Sequence, residues 1–96
     1  MQKDTINKVQ VRNIRGHAGR EVANQFVIET PEGSYFQSYH AVIAFRSNSG
    51  KTYLDEESWD YSPTTGKYRN LFLNEDMKET RRRIKQGDYI LTNLNL

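Results

Sequence analysis

Apolar and polar residues alternate with a period of two through the first half of the chain and switch to helical spacing in the second, which predicts strands followed by helices. Lys8 to Arg12 sets Val9 and Val11 on one face, and Arg15-Gly16-His17-Ala18-Gly19-Arg20 reads as a glycine-bounded loop. Gln25 to Thr30 alternates again, with Phe26 and Ile28 together and Gln25, Val27 and Glu29 opposite. Pro31-Glu32-Gly33 joins a fixed φ to a residue that tolerates positive φ, so it closes a hairpin into Ser34 to Tyr39. His40 to Arg46 is β-branched and apolar, Ser47-Asn48-Ser49-Gly50 turns the chain, and Lys51 to Asp55 returns.

Past Asp55 the period changes. Ser62-Pro63 suits a helix N-cap with proline at the first helical position, although Thr64-Thr65-Gly66 can delay the start by a turn. Tyr68, Leu71 and Phe72 form an apolar stripe at i, i+3 and i+4. Asn74 is placed to cap a second helix, Met77 and Ile84 lie seven apart on its inner face, and Gly87 ends it. Tyr89 to Leu96 alternates once more and reads as a last strand. This order predicts an α+β domain: an antiparallel β-sheet of about five strands with two short helices packed on one face. At 96 residues the chain reads as one domain, 1–96, with 1–6 expected to be flexible.

Composition narrows the chemistry. With no cysteine there is no disulfide, thiolate metal site or cysteine nucleophile, and two histidines, His17 and His40, offer little to a metal centre or a triad. No metal, no cofactor and no catalytic residue is expected, and the protein reads as not an enzyme. The longest unbroken apolar run, Ala41 to Phe45, is far short of the ~20 residues that span a bilayer, so no membrane partner is expected and a cytoplasmic location is.

Charge is nearly balanced at +2 but unevenly spread. Residues 1–20 carry five basic groups and one acid, 21–66 two basic groups and seven acids, and 67–96 seven basic groups and four acids. The acidic middle, Asp55, Glu56, Glu57 and Asp60, reads either as solvated turn charges or as a surface that mimics nucleic acid and docks in a basic groove. A Mg²⁺ site built from Asp60, Asp76 and Lys78 is disfavoured, because Asp76 and Lys78 diverge by about 200° around a helix. Lys78, Arg81, Arg82 and Lys85 fall along one side of the second helix. They complement the helix dipole, or with Lys67 and Arg69 they bind phosphate.

Aromatic residues cluster in Tyr35-Phe36-x-x-Tyr39 and Trp59-Asp60-Tyr61. Trp59 and Phe72 are expected in the core, whereas Tyr35, Tyr39 and Tyr61 are candidates for contact with a partner or for base stacking. His40 is a possible base, but Ser38 and Ser62 lack the setting of a nucleophile elbow. The loop between Arg15 and Arg20 lacks the Lys-Ser/Thr step of a phosphate loop.

The stretch Tyr35-Phe36-Gln37-Ser38-Tyr39, Ile43-Ala44, Tyr53-Leu54-Asp55, Trp59-Asp60-Tyr61-Ser62, Thr64-Thr65, Lys67-Tyr68-Arg69 and Phe72-Leu73 resembles a family of small uncharacterised proteins of phages and other mobile elements. The resemblance covers Gly33 to Leu73 and implies a context without a chemistry. In that context the expected function is a non-enzymatic, phage-type binding protein. It would inhibit a host defence nuclease or similar machine by protein contact through Tyr35, Tyr39, Asp55, Glu56, Glu57, Asp60 and Tyr61. The alternative is a nucleic-acid-binding accessory protein that uses Lys67, Arg69, Lys78, Arg81, Arg82 and Lys85 on phosphate and Tyr35 or Tyr39 for stacking. The partner is then a host protein, a protein–nucleic acid complex or nucleic acid. An edge strand or the Leu91–Leu96 tail leaves both monomer and homodimer open.

Overall fold

The computed structural model describes residues 8–96, so the segment 1–6 expected to be flexible lies outside the described residues. Strands β1 (Gln10–Arg15), β2 (Glu21–Thr30), β3 (Gly33–Ser38), β4 (Ala41–Ser47) and β5 (Thr52–Asp55) are followed by helices α1 (Pro63–Leu73) and α2 (Met77–Lys85) and by β6 (Tyr89–Thr92). The strands form one six-stranded sheet in chain order, with β1 and β6 at its edges. The domain is α+β, with six strands against the expected count of about five. Its first four pairings are antiparallel and the last, β5 with β6, is parallel. The two helices cause this difference: they carry the chain back across the sheet, so β6 starts at the same end as β5.

Register sorts the side chains between two faces. Val27, Phe36, Ala44, Leu54 and Tyr89 point toward the helices and are buried, and Leu73, Trp59, Tyr68, Phe72 and Ile84 pack onto them. Trp59 and Phe72 thus join the core, and Phe72 stacks on Phe36 with centroids 5.7 Å apart. A one-residue bulge in β4, where Phe36 pairs with Ala44 but Gln37 with Val42, explains why both Ile43 and Ala44 are buried. On β2 the buried side is that of Gln25 and Val27, which leaves Phe26 and Ile28 on the opposite face.

Among the described residues no helix covers that opposite face. Cross-strand partners line up across all six strands as Val11, Ile28, Tyr35, Phe45, Tyr53 and Ile90. Tyr35 stacks on Phe45 at 4.3 Å and Phe45 on Tyr53 at 6.0 Å, so the centre of the row is an aromatic ladder. The row ends are open to solvent, with Val11 61% and Ile90 39% exposed.

Local chemistry fixes the turns and helix ends. At Gly33 φ is +150°, and a Cβ there would overlap the Arg46 carbonyl oxygen, so the β2–β3 hairpin requires glycine. Ser62 is the N-cap of α1, and its Oγ accepts from the Thr65 amide at 3.1 Å; with Pro63 in the first turn, the helix starts without the delay the sequence allows. Asn74, expected to cap α2, instead ends α1 in the left-handed region with φ 60°. Asp76 is the N-cap of α2, its Oδ1 accepting from the Glu79 amide at 2.9 Å. Gly87 (φ +83°) closes α2 as its Schellman glycine, with Gly87 N–H donating to the Ile84 carbonyl and Asp88 N–H to that of Arg83.

A buried carboxylate ties the helical layer to the sheet. Glu75 accepts from Thr80 Oγ1 and from the Tyr89 hydroxyl, both at 2.6 Å. Beyond β6 the chain leaves strand geometry earlier than the alternation to Leu96 predicts. Short β5 leaves the start of β4 unpaired, and Asn95 fills the gap: its Oδ1 accepts from Val42 N–H at 2.6 Å and its Nδ2 donates to the Val42 carbonyl at 2.7 Å.

Candidate functional site

Strands β3 and β4 are joined by only two residues, Tyr39 and His40, since Ser38 pairs directly with Ala41. So tight a reversal demands an unusual backbone, and Tyr39 supplies it with φ 56°, a region where glycine or asparagine costs least. Two hydrogen bonds of 2.7 Å hold it there: Tyr39 N–H donates to the Asn24 carbonyl, and Gln37 Nε2 donates to the Tyr39 carbonyl. Asn24 is itself left-handed, with φ 66°. The Tyr39 side chain therefore projects from the end of the sheet and is 49% exposed.

The loop from β5 to α1 approaches the same end. Its anchor is Asp55, whose Oδ2 accepts from Ser58 Oγ at 2.7 Å and from the Ser58 amide at 2.9 Å, while Oδ1 accepts from the Leu94 amide at 2.9 Å. Burial pushes this carboxyl up, but the hydrogen bonds from Ser58 and Leu94 outweigh it and hold Asp55 below the ordinary carboxylate value. Folded back in this way, the loop presents Tyr61, 71% exposed, toward the β3–β4 turn. Between the two tyrosines lies a cavity of about 460 Å³ lined by Ser38, Tyr39, His40, Ala41, Ser58 and Tyr61. Ser58 Oγ donates to Asp55 and Ser38 Oγ bonds Thr65 Oγ1 at 3.1 Å, so both hydroxyls are engaged away from His40. Two amphipathic rings over an apolar floor suit a side chain or a planar group held between them.

The structure brings together only part of the partner-binding set expected from the sequence. Tyr39 and Tyr61 share the cleft, and exposed Glu56 and Glu57 stand beside it in the same loop as Ser58. Asp55 is a correction: it is buried and acts as an internal anchor with no carboxylate surface to offer. Tyr35 is not part of this cleft: it lies in the aromatic ladder on the open face of the sheet. Asp60 pairs with Arg81 at 3.3 Å and with Arg69 at 3.9 Å. Asp76 is committed to its cap, and among the described residues no group of three or more histidine or acidic side chains is arranged to hold a metal ion.

The basic set is divided in a similar way. Arg69 is fully buried, donating to the Trp59 carbonyl and to Asn70 Oδ1, so it cannot reach a phosphate. Its guanidinium lies beside Gly66, where a Cβ would stand 3.6 Å from Nη2, an ordinary van der Waals contact. Burial lowers the Arg69 pKa, and Asp60 and Glu75 oppose that shift. Arg82 and Arg83 both bond Glu79, and their hydrogen bonds hold the Glu79 carboxyl down at about 2. Exposed Lys67, Lys78 and Lys85 remain for an outside anion, and Lys67 Nζ sits 5.3 Å from the Tyr68 ring centroid.

Sequence reasoning missed Ser58 and Ala41 as cleft residues, and Phe45 and Tyr53 as neighbours of Tyr35. Periodicity assigns each to a face of its own strand, but only the register of pairing says which residues meet.

No helix among the described residues is long and apolar enough to cross a membrane. No curated protein and no solved structure matches the chain. A family match does exist and spans nearly the whole sheet and both helices: over residues 9–89 the chain belongs to the Family of unknown function (DUF8033).

Proposed function

We propose that this chain is a non-enzymatic binding protein that seats a segment of a protein partner in the Tyr39–Tyr61 cleft. In the phage or mobile-element setting its sequence resembles, the partner is a host defence nuclease or similar machine, inhibited by occupation of its working surface. One observation carries this reading: a half-exposed tyrosine is kept at φ 56°, opposite a second exposed tyrosine. Strain of that kind lowers stability and is characteristically retained at sites of function. Tyrosine suits such a site, since it offers a large rigid surface with a polar tip and is enriched among residues that dominate binding energy. Glu56 and Glu57 beside the cleft give its rim a negative potential that favours a basic groove.

The test is capture from infected-host lysate with mass spectrometry, followed by assay of the captured nuclease with purified chain. Tyr39→Ala combined with Tyr61→Ala is expected to weaken inhibition at least tenfold, while Lys67→Ala with Lys85→Ala leaves it intact. Equal capture by the tyrosine variant, or catalytic turnover by the purified chain, overturns the reading.

Exposed Lys67, Lys78 and Lys85 favour a second reading, a nucleic-acid-binding accessory protein. It requires a gel shift whose affinity falls steeply with salt and is lost on charge removal at those three positions.

A further inference from the structure

We infer that the open face of the sheet is the interface of a homodimer, in which two copies stack sheet on sheet. The row Val11, Ile28, Tyr35, Phe45, Tyr53, Ile90 is uncharged from edge to edge. One flanking row, Asn13, Phe26, Gln37 and Val42, is uncharged as well; the other, Thr30, Gly33 and Ser47, continues to exposed Lys51, whose carbonyl accepts from the Ser47 amide. Asp55, which shares this face on β5, has its carboxylate tied to Ser58 and Leu94. Exposed Lys51 and Glu32 stand at one margin of the face, so its centre offers neither a phosphate chain nor a charged partner a group of opposite sign.

Self-recognition is what the order of the row fits. A two-fold axis parallel to the strands, lying between the sheets, reverses the row of the second copy. The two exposed aliphatic ends, Val11 and Ile90, then meet across the interface, and Tyr35 meets Phe45 at its centre. Every contact so made pairs an aliphatic or aromatic side chain with another and occurs twice, as an isologous interface demands. Size agrees at the lower end: six strands at ~4.8 Å spacing and ~20 Å of strand length give a face of about 500–600 Å² per copy, ~1,000–1,200 Å² in total, which reaches the ~1,000 Å² that a specific interface needs. Aligned packing of two such sheets is a common solution for burying an apolar sheet face.

Sedimentation of the full chain, with molecular mass read across micromolar concentrations, tests the inference. The expected result is a dimer that Val11→Asp and Ile90→Asp each weaken at least tenfold. Both side chains are exposed and at sheet edges, and circular dichroism checks that the variants fold. Because the chain has no cysteine, Val11→Cys with Ile90→Cys gives a second readout. Within one copy the two positions are five strands apart, about 24 Å, and across facing sheets about 10 Å, so a bis-maleimide of ~10 Å span cross-links them only between copies. Tyr39→Ala with Tyr61→Ala is expected to leave the dimer intact, which separates this interface from the cleft. An 11.3 kDa species at all concentrations, a dimer indifferent to both aspartates, or a dimer that fails to cross-link overturns the inference.

Discussion

Arg69 Nη1 donates to the backbone carbonyl of Trp59 at 2.6 Å while its guanidinium carbon lies 5.3 Å from the centroid of the same residue's indole ring. One side chain thus fixes both the backbone and the ring of the residue that closes the β5–α1 loop. Arg69→Ala is expected to cost about 2–4 kcal/mol, from lost hydrogen bonds to a buried carbonyl and an unfilled volume. Arg69→Lys recovers little of it, because an ammonium cannot reproduce the planar fork. Urea unfolding followed by fluorescence of Trp59, the sole tryptophan, measures both variants.

Tyr39 offers a direct test of strain. Glycine adopts φ 56° without a Cβ penalty, so Tyr39→Gly is expected to hold or raise stability by up to ~1 kcal/mol while weakening capture of the protein partner. A variant that loses stability and keeps partner capture contradicts the assignment of Tyr39 to the cleft. Thermal unfolding and the capture assay provide the two readouts.

Alkali should expose the Glu75–Tyr89 bond. Burial, and then the Glu75 carboxylate, push the Tyr89 hydroxyl up to about 12 from an ordinary 10.0, against smaller opposing effects of Arg46 and Arg83. A raised acid group stabilises the fold fully below its unfolded value, and that stability is lost as pH climbs from 10 toward 12. The loss expected from this group is on the order of 2 kcal/mol. In Tyr89→Phe that part of the alkaline slope disappears, as urea midpoints between pH 9 and pH 12 would show.

Asp55 acts at the other end of the scale. Its depressed value means that its stabilisation is present above the ordinary 3.8 and lost as pH falls through the folded value. Asp55→Asn replaces a double acceptor by a group that turns N–H donors on the amides of Ser58 or Leu94, at an expected cost of about 2–4 kcal/mol at neutral pH. The acid limb of its stability curve should flatten correspondingly. Urea unfolding at pH 3 and pH 7 compares the two.

How legible these features are in the sequence depends on how local they are. Ser62-Pro63 and Gly87 mark helix ends through their own backbone chemistry, and the structure places α1 and the end of α2 where those residues indicate. Asn74 misleads because asparagine suits both an N-cap and a left-handed C-cap, and Asp76 two residues later takes the first role. The cleft is half legible: Tyr39 and Tyr61 stand out as aromatic residues in polar surroundings, but their meeting depends on Asp55 folding the loop back onto the sheet. The inward turn of Asp55 and the burial of Arg69 are invisible in a sequence, where a charged residue reads as solvated until its partners are known.

The parallel pairing of β5 with β6 also sets an order of assembly. The first five strands are joined by short turns, so their ladders zip from residues close in the chain. The last ladder joins Thr52 to Tyr89 and Asp55 to Thr92, and it must wait until both helices span the gap. Until β6 arrives, β5 is a bare edge with unpaired amides, open to any extended segment nearby. The nascent chain is therefore most vulnerable to strand donation in the interval between completing its meander and delivering its final strand.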